Sequence, residues 1–205
     1  MGPFWDVSEK LTQAVQPYDV LFFPDGDLRL DSLSPESIRR YRRIILPDCR
    51  FLTRTQVSLL EKYLGSGGRL VITGNLGANL QPGELQSILA HSGTQWIEDP
   101  IGFKLQELPG GLQVRTGQPV NIALNIQKVD AGAAVHILRY NYQEEADEVP
   151  VLDRLSLDIR LPECYSKVDV YAPDKKPEVS LEVDGKLHHL TLNNLPLYTI
   201  LLLRN

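Results

Sequence analysis

Residues 43–73, RIILPDCRFLTRTQVSLLEKYLGSGGRLVIT, predict a strand, a helix and a second strand in direct succession. Arg43 to Pro47 is a short apolar run, which is typical of a strand that is buried on both faces. Thr53 and Gln56 have the spacing of a capping box, and the helix that they start ends at the GSGG turn. Arg69 to Thr73 is the next apolar run. This succession predicts neighbouring strands of a parallel sheet.

The sequence around this stretch continues the alternation. Val7, Leu11 and Val15 recur every fourth residue and predict a helix that Pro17 stops. The other predicted elements of this half are a strand over 18–23 (YDVLFF), a short helix that begins after Ser34, a helix around 85–89 and a strand over 94–97. The pattern predicts a flavodoxin-like, doubly wound parallel sheet, with a crevice at the carboxyl ends of its strands where the strand order reverses.

The C-terminal half has a period of two. Apolar residues at 155, 157, 159 and 161 alternate with polar ones, and similar runs follow at intervals of roughly 8 to 12 residues. Asp184-Gly185 has the composition of a hairpin turn. We therefore predict about seven or eight strands in a small antiparallel β-sandwich. The predicted domains are an α/β domain over 1–108 and a β-sandwich over 109–205.

Composition excludes several classes of function. The chain has 205 residues, a formal net charge of −5 and a pI near 5.4, which disfavours a nucleic-acid partner. No apolar run approaches the ~18 residues that span a bilayer, and the N-terminus lacks the pattern of a signal peptide. We expect a soluble chain without a membrane partner, and a cytoplasmic location in preference to secretion. The two cysteines, Cys49 and Cys164, form neither a disulfide framework nor a zinc-ligand pair, and no cofactor is expected.

Three polar side chains follow predicted strands and are the candidate ligand-binding residues. Asp25, Asp48 and Asn75 each come at or just after a strand end. Because the carboxyl ends of parallel strands meet at one edge of a sheet, we expect these side chains to converge there. The two carboxylates are interpreted first as caps of their own loops, with a sugar contact or an interface role as the alternative.

Two enzymatic interpretations of this edge each fit only in part. In the first, Asp25 is the nucleophile of a phosphoryl transfer, Asp27 its acid or base, and Thr73 a phosphate ligand. The Asp-x-Asp and Thr-Gly-Asn segments resemble the first two motifs of haloacid-dehalogenase-type phosphatases, but no later lysine and acidic pair follow another buried strand. In the second, Cys49 is a nucleophile, yet it lacks a neighbouring histidine and a glycine elbow. We assign no catalytic and no metal-ligating residue.

The span 18–77, from YDVLFFPDGD to RLVITGNLG, resembles a class I glutamine-amidotransferase-like domain. Such a domain follows the catalytic barrel in some glycoside hydrolases, and the likeness is to the trimerisation domain of family forty-two β-galactosidases in particular. The alignment puts Thr73 where a nucleophile would stand, so the triad does not carry over. VHILRYNYQ at 135–143 and LPLYTILLLRN at 195–205 are similar to the small C-terminal β-sandwich of such hydrolases.

The resemblance implies a non-catalytic accessory or oligomerisation module of a glycoside-hydrolase-like protein. Its implied partners are the catalytic barrel of a parent chain, a second copy of the chain, or carbohydrate. Phe4, Trp5 and Trp96 are candidate interface aromatics, with filling of the local core as the alternative. A carbohydrate-binding module is a second hypothesis, and a small hydrolase that uses the strand-end aspartates is a third. The tyrosines available for sugar stacking are Tyr140, Tyr142, Tyr165, Tyr171 and Tyr198.

Overall fold

The computed structural model describes four parts of the chain: residues 2–98, 104–105, 111–173 and 175–205. Its internal contacts divide the chain into two compact units, Met1–Glu9 with Asp19–Gly110 and Lys10–Tyr18 with Gly111–Asn205. The predicted domain boundary between residues 108 and 109 lies outside the described residues.

The first unit is built on a three-stranded parallel sheet. Its elements are α2 (Pro35–Arg39), β1 (Arg43–Cys49), α3 (Arg54–Gly65), β2 (Arg69–Leu76), a 3₁₀ turn (Pro82–Leu85), α4 (Gln86–Leu89) and β3 (Thr94–Ile97). A further helix, α1 (Pro3–Gln13), has residues in both units. The predicted succession of strand, helix and strand is confirmed.

The predicted capping box starts helix α3. The backbone N of Gln56 donates to Thr53 Oγ1 at 3.2 Å, and the backbone N of Thr53 donates to Gln56 Oε1 at 3.0 Å. The apolar side of the helix then packs on the sheet, where Leu60 and Ile72 are fully buried in one cluster. Two otherwise orphaned donors are satisfied at the point where the helix must begin, so the helix start and the core are fixed together.

The predicted strand over 18–23 is not formed. This segment belongs to no sheet, and the carbonyl of Pro24 that follows it accepts from Gln56 Nε2 at 2.7 Å. Leu21 and Phe23 pack against the core, whereas Phe22 is 60% exposed. The apolar run suggested burial on both faces, but only Leu21 and Phe23 are partly covered. An apolar run does not by itself supply the hydrogen-bonding partner that a strand needs.

The described strands also lack the predicted reversal of strand order. They lie in the order β1-β2-β3, which is the order of the chain. A topological switch point requires neighbouring crossovers to run in opposite directions. The predicted crevice at such a point is therefore not formed by the described part of the sheet.

The second unit contains two four-stranded sheets, and all of their described pairings are antiparallel. Their orders are β4-β7-β10-β9 and β5-β6-β11-β8. The strands are β4 (Val114–Thr116), β5 (Ile122–Val129), β6 (Gly132–Arg139), β7 (Leu152–Arg160), β8 (Lys167–Tyr171), β9 (Glu178–Asp184), β10 (Leu187–Leu195) and β11 (Tyr198–Arg204). Apolar residues of both sheets share one buried cluster. The antiparallel pairings confirm the predicted strands, and the pairing of Asp184 with Leu187 confirms the predicted turn.

The side-chain amide of Gln16 forms hydrogen bonds with the free backbone edge of β4. Its Oε1 accepts from the backbone N of Gln113 at 2.9 Å and of Val114 at 3.3 Å, and its Nε2 donates to the carbonyl of Val114 at 2.7 Å. Gln16 is only 9% exposed, and its neighbour Val15 is buried in the core of this unit at a φ of 55°. The side-chain amide thus satisfies backbone groups that an edge strand would leave open.

Candidate functional site

The candidate site lies at the carboxyl ends of β1 and β2, where the parallel ladder is interrupted. Pro47 pairs with Thr73, but the next pair is Cys49 with Leu76, so Asp48 sits in a bulge. Its φ is 50°, in the left-handed region that non-glycine residues rarely adopt. Strain of this kind persists only where surrounding contacts hold it, and such positions are often functional.

The contacts that hold Asp48 come from Asn75 and Arg50. Asp48 Oδ1 accepts from the backbone N of Asn75 at 3.0 Å and from its Nδ2 at 2.7 Å, and Asp48 Oδ2 accepts from Arg50 Nε at 2.7 Å. The backbone and side-chain donors of Asn75, followed by Arg50, lower the pKa of the Asp48 carboxyl. The side chain is 14% exposed. This carboxylate is charged and is tied to the two strand ends.

Gly74 makes room for this arrangement. Its φ is 70°, and a Cβ built at this position would lie 3.0 Å from Asp48 Oδ1. A larger residue here would both strain the backbone and crowd the carboxylate. The carbonyl of Cys49 then accepts from the backbone N of Gly77 at 2.8 Å, which closes the strand ends beyond the bulge.

The surroundings of Cys49 disfavour the thiolate form of its side chain. Burial, and secondarily the charge on Asp48, raise the pKa of its thiol to about 11. At neutral pH only about one molecule in ten thousand would carry the nucleophilic form. The half-buried side chain packs against the core of the first unit. Its chemistry is that of a small apolar residue.

Asp25 is engaged in its own loop. Its Oδ1 accepts from the backbone N of Asp27 and of Leu28, each at 3.0 Å, and these bonds, led by that of Asp27, lower the pKa of the carboxyl. In the described part of the chain no hydrogen bond or ion pair joins Asp25 to Asp48 or Asn75. The structure therefore brings together two of the three predicted residues.

A shallow cavity of about 200 Å³ lies beside Asp25. Four of its six lining residues are apolar, and Asp25 and Arg29 supply the charge. The guanidinium of Arg29 lies 5.0 Å from the centre of the Phe22 ring. The lining residues are Phe22, Phe23, Pro24, Asp25, Leu28 and Arg29.

The histidines do not gather into a metal site. No group of three His, Cys, Asp or Glu side chains is placed to hold a metal within the described residues. His188 is fully buried, accepts from the backbone N of Tyr165 at 3.0 Å, and has a pKa lowered chiefly by burial. His136 bonds Tyr198, and His189 bonds Asp158, each at 2.7 Å.

The aromatic candidates divide by exposure. Phe4, Trp5 and Trp96 are 40%, 61% and 46% exposed, so they do not fill the core. Among the tyrosines proposed for sugar stacking, Tyr165 is buried, whereas Tyr140, Tyr142 and Tyr171 are exposed. Tyr198 is half-buried beside His136.

Sequence reasoning missed two sets of contacts. Arg50 lies two residues after Asp48, a spacing that could have suggested the ion pair. The exposed charges on the sheet of β4, β7, β10 and β9 can be placed together only once the strand register is known.

Comparison with known proteins gives a likeness of fold. No family model matches the chain, and no curated protein matches it. Among solved structures, the chain is similar to α-L-fucosidase isoenzyme 2 from Paenibacillus thiaminolyticus, with a TM-score of 0.64 and 11% identity. The match covers 98% of this chain but only 45% of the fucosidase chain.

A second solved structure gives a weaker match. An apo exo-carrageenase of family GH42 from Bacteroides ovatus aligns with a TM-score of 0.42 and 10% identity, over 97% of this chain and 26% of that one.

In the described residues, no helix is long and apolar enough to cross a membrane.

Proposed function

We propose that this chain is a non-catalytic accessory module of a glycoside-hydrolase-like protein, which braces or shapes a carbohydrate-active site carried elsewhere. The observation that carries the proposal is the fucosidase match, because nearly the whole two-unit fold recurs in less than half of a glycosidase chain. The first unit is then the amidotransferase-like, flavodoxin-like part, related to β-galactosidase trimerisation domains. Its partners are a catalytic barrel of the parent chain, a second copy, or both.

The chemistry of the strand ends supports this role. Glycoside hydrolysis needs two carboxyl groups about 5 to 10 Å apart, one of which holds a proton. Asp48 is held ionised by Asn75 and Arg50, and Asp25 is held by its own turn. Neither carboxyl has the raised pKa of a general acid. The alternative of a small hydrolase at this edge would need a proton donor that neither aspartate supplies.

A carbohydrate-binding role is the second candidate. It rests on the outer face of the sheet β5-β6-β11-β8, where Tyr171 is 50% exposed and Ile200 pairs with it in register. Sugar rings stack on exposed aromatic rings through their C–H faces. Lys176 Nζ lies 5.6 Å from the centre of the Tyr171 ring, so a sugar would have to displace it or use the other ring face. Calorimetry with oligosaccharides, on wild type and Tyr171→Ala, tests this candidate.

The accessory role is tested in the natural polypeptide. The reading frame that encodes residues 1–205 should also encode a barrel-length catalytic segment, and a form without residues 1–205 should lose thermal stability or self-association. A frame with no such segment would overturn the proposal, as would full stability and assembly of the shortened form.

A further inference from the structure

The outer face of the sheet β4-β7-β10-β9 carries an ordered row of charges. Strand register places Arg115 beside Asp158, Asp158 beside His189, and His189 beside Glu182. The row crosses all four strands, and the residues on either side of it in each strand point to the buried core. Its ends have opposite charge, Arg115 on one edge and Glu182 on the other.

The rest of the face has the same polarity. Arg154 and Arg160 lie on β7, next to the β4 edge, whereas Glu178 and Asp184 lie on β9 at the opposite edge. All four side chains are exposed, as are Arg115 and Glu182. Between them lie the small polar residues Ser156 and Thr191, and Leu187 lies between Arg160 and Asp184 in register. The β4-β7 half therefore carries Arg115, Arg154 and Arg160 against one acid, Asp158, whereas the β10-β9 half carries three acids, Glu178, Glu182 and Asp184.

Most of these charged side chains form no ion pair within the described part of the chain. In the row, His189 Nδ1 and Asp158 Oδ1 are 2.7 Å apart. Within the residues that the structure describes, no ion pair involves any of the six flanking side chains, which are Arg115, Arg154, Arg160, Glu178, Glu182 and Asp184. Cross-strand pairing, the usual reason for alternating charges on a sheet, thus accounts only for the central pair.

We propose that this face binds the same face of a second copy of the chain, about a two-fold axis parallel to the strands. Such an axis places β4 of one copy opposite β9 of the other, and β7 opposite β10. It does not change the position of a residue along the strand direction, so each row of one copy faces the same row of the other. Arg115 then lies opposite Glu182 of the second copy, and Asp158 opposite His189 of the second copy. The same pairs form twice, as in any isologous interface.

The charge pattern selects this axis over the alternative. A two-fold axis in the sheet plane but perpendicular to the strands would lay β9 on β9, and its three acidic side chains would face one another. With the axis parallel to the strands, the β10-β9 half of one copy meets the β4-β7 half of the other. Facing sheets cross at about 30°, which keeps the rows near the axis opposed.

The interface is small. Four strands about 4.8 Å apart, with a mean length of seven residues, cover about 450 Å² per copy, or about 900 Å² in total. Stable complexes bury about 1,200 Å² or more, and a polar face contributes less than an apolar one. We therefore expect a weak dimer that salt dissociates, because exposed pairs are screened. The inference deepens the homo-oligomer part of the proposed function and does not depend on a parent glycosidase.

The test exchanges charges across the axis. Sedimentation equilibrium of wild type in low salt should show a dimer that weakens by about tenfold or more in 0.5 M NaCl. Arg115→Glu alone should be monomeric, because the introduced carboxylate would face Glu182 of the second copy, and Glu182→Arg alone should be monomeric for the converse reason. An equimolar mixture of the two variants should dimerise again, since both contacts are then opposite in charge.

Matched controls change the net charge equally at other exposed positions. Lys175→Glu matches Arg115→Glu, and Glu145→Arg matches Glu182→Arg; both should dimerise like wild type. A wild type that stays monomeric at high concentration in low salt would overturn the proposal, as would a mixture that fails to dimerise. A dimer that survives both single reversals would assign association to another surface, such as the outer face of the sheet β5-β6-β11-β8, and would also overturn it.

Discussion

Asp48 and Asn75 close the gap where the parallel ladder breaks: one carboxylate oxygen of Asp48 accepts from both the backbone and the side-chain amide of Asn75, at 3.0 and 2.7 Å. The Asp48 side chain at the end of β1 thereby accepts a hydrogen bond from the backbone of β2 that a strand carbonyl would otherwise accept. These bonds tie the two strand ends together, and we call this arrangement of Asp48, Gly74 and Asn75 the clamp. The left-handed φ of Asp48 is held by these bonds and by Arg50.

Replacing Asp48 by asparagine should destabilise the chain at neutral pH by about 1 to 2 kcal/mol, because the charge-assisted bonds to Asn75 and Arg50 are lost. The folded state lowers the pKa of Asp48. The stabilisation by the Asp48 carboxylate is therefore present above the pKa that Asp48 has in the unfolded chain, near 3.8. It disappears as the pH falls through the lower pKa that Asp48 has in the folded chain. Urea unfolding of wild type and Asp48→Asn at pH 7, 5 and 3 measures this.

The control for that series is Asp153→Asn, at an exposed position. It should track wild type at every pH. If the difference between wild type and Asp48→Asn stays constant down to the most acidic pH at which both fold, the clamp is not electrostatic.

Replacing Gly74 by alanine should cost about 1 to 3 kcal/mol, since the residue adopts a φ of 70° and its new Cβ would crowd Asp48 Oδ1. Gly83→Ala is the matched substitution, because its Cβ would meet no atom within 4 Å and its φ is not in the left-handed region. It should be nearly neutral or stabilising. Thermal melts of both variants decide the matter, and equal losses would remove Gly74 from the clamp.

Replacing Gln16 by alanine should destabilise the second unit by about 1 to 3 kcal/mol, because backbone groups of Gln113 and Val114 lose their partner in a buried place. Gln118→Ala removes a single exposed bond of 3.2 Å and should change stability little. Hydrogen exchange at the amides of residues 113 and 114 reports the effect locally. Unchanged protection there in Gln16→Ala would contradict the edge role.

The two thiols should differ in reactivity. Cys164 is exposed, whereas burial and Asp48 raise the pKa of Cys49 to about 11. Titration of the folded chain with a disulfide reagent at pH 8 should show one fast equivalent, which Cys164→Ser abolishes, and a second only after unfolding. A fast equivalent that persists in Cys164→Ser would restore Cys49 as a candidate nucleophile.

The sequence predicted the elements whose ends carry explicit local signals. The capping box of Thr53 and Gln56, the strands on either side of helix α3, and the Asp184-Gly185 turn are all formed. The prediction of a strand over 18–23 was wrong because strand pairing depends on partners that a local pattern does not specify. The convergence of Asp48 and Asn75 followed from parallel topology. The bulge, and the charges of the β4-β7-β10-β9 face, depend on register, which no single strand reveals.

The most direct test of the accessory role is an assay of the purified chain itself. Wild type, Asp25→Asn and Asp48→Asn are incubated with a panel of fluorogenic aryl glycosides that includes α-L-fucoside and β-galactoside. We predict that all three release the fluorophore at the rate of buffer alone. Turnover by wild type that falls by about a hundredfold or more in either variant would contradict the account, because it would make the strand-end aspartates catalytic.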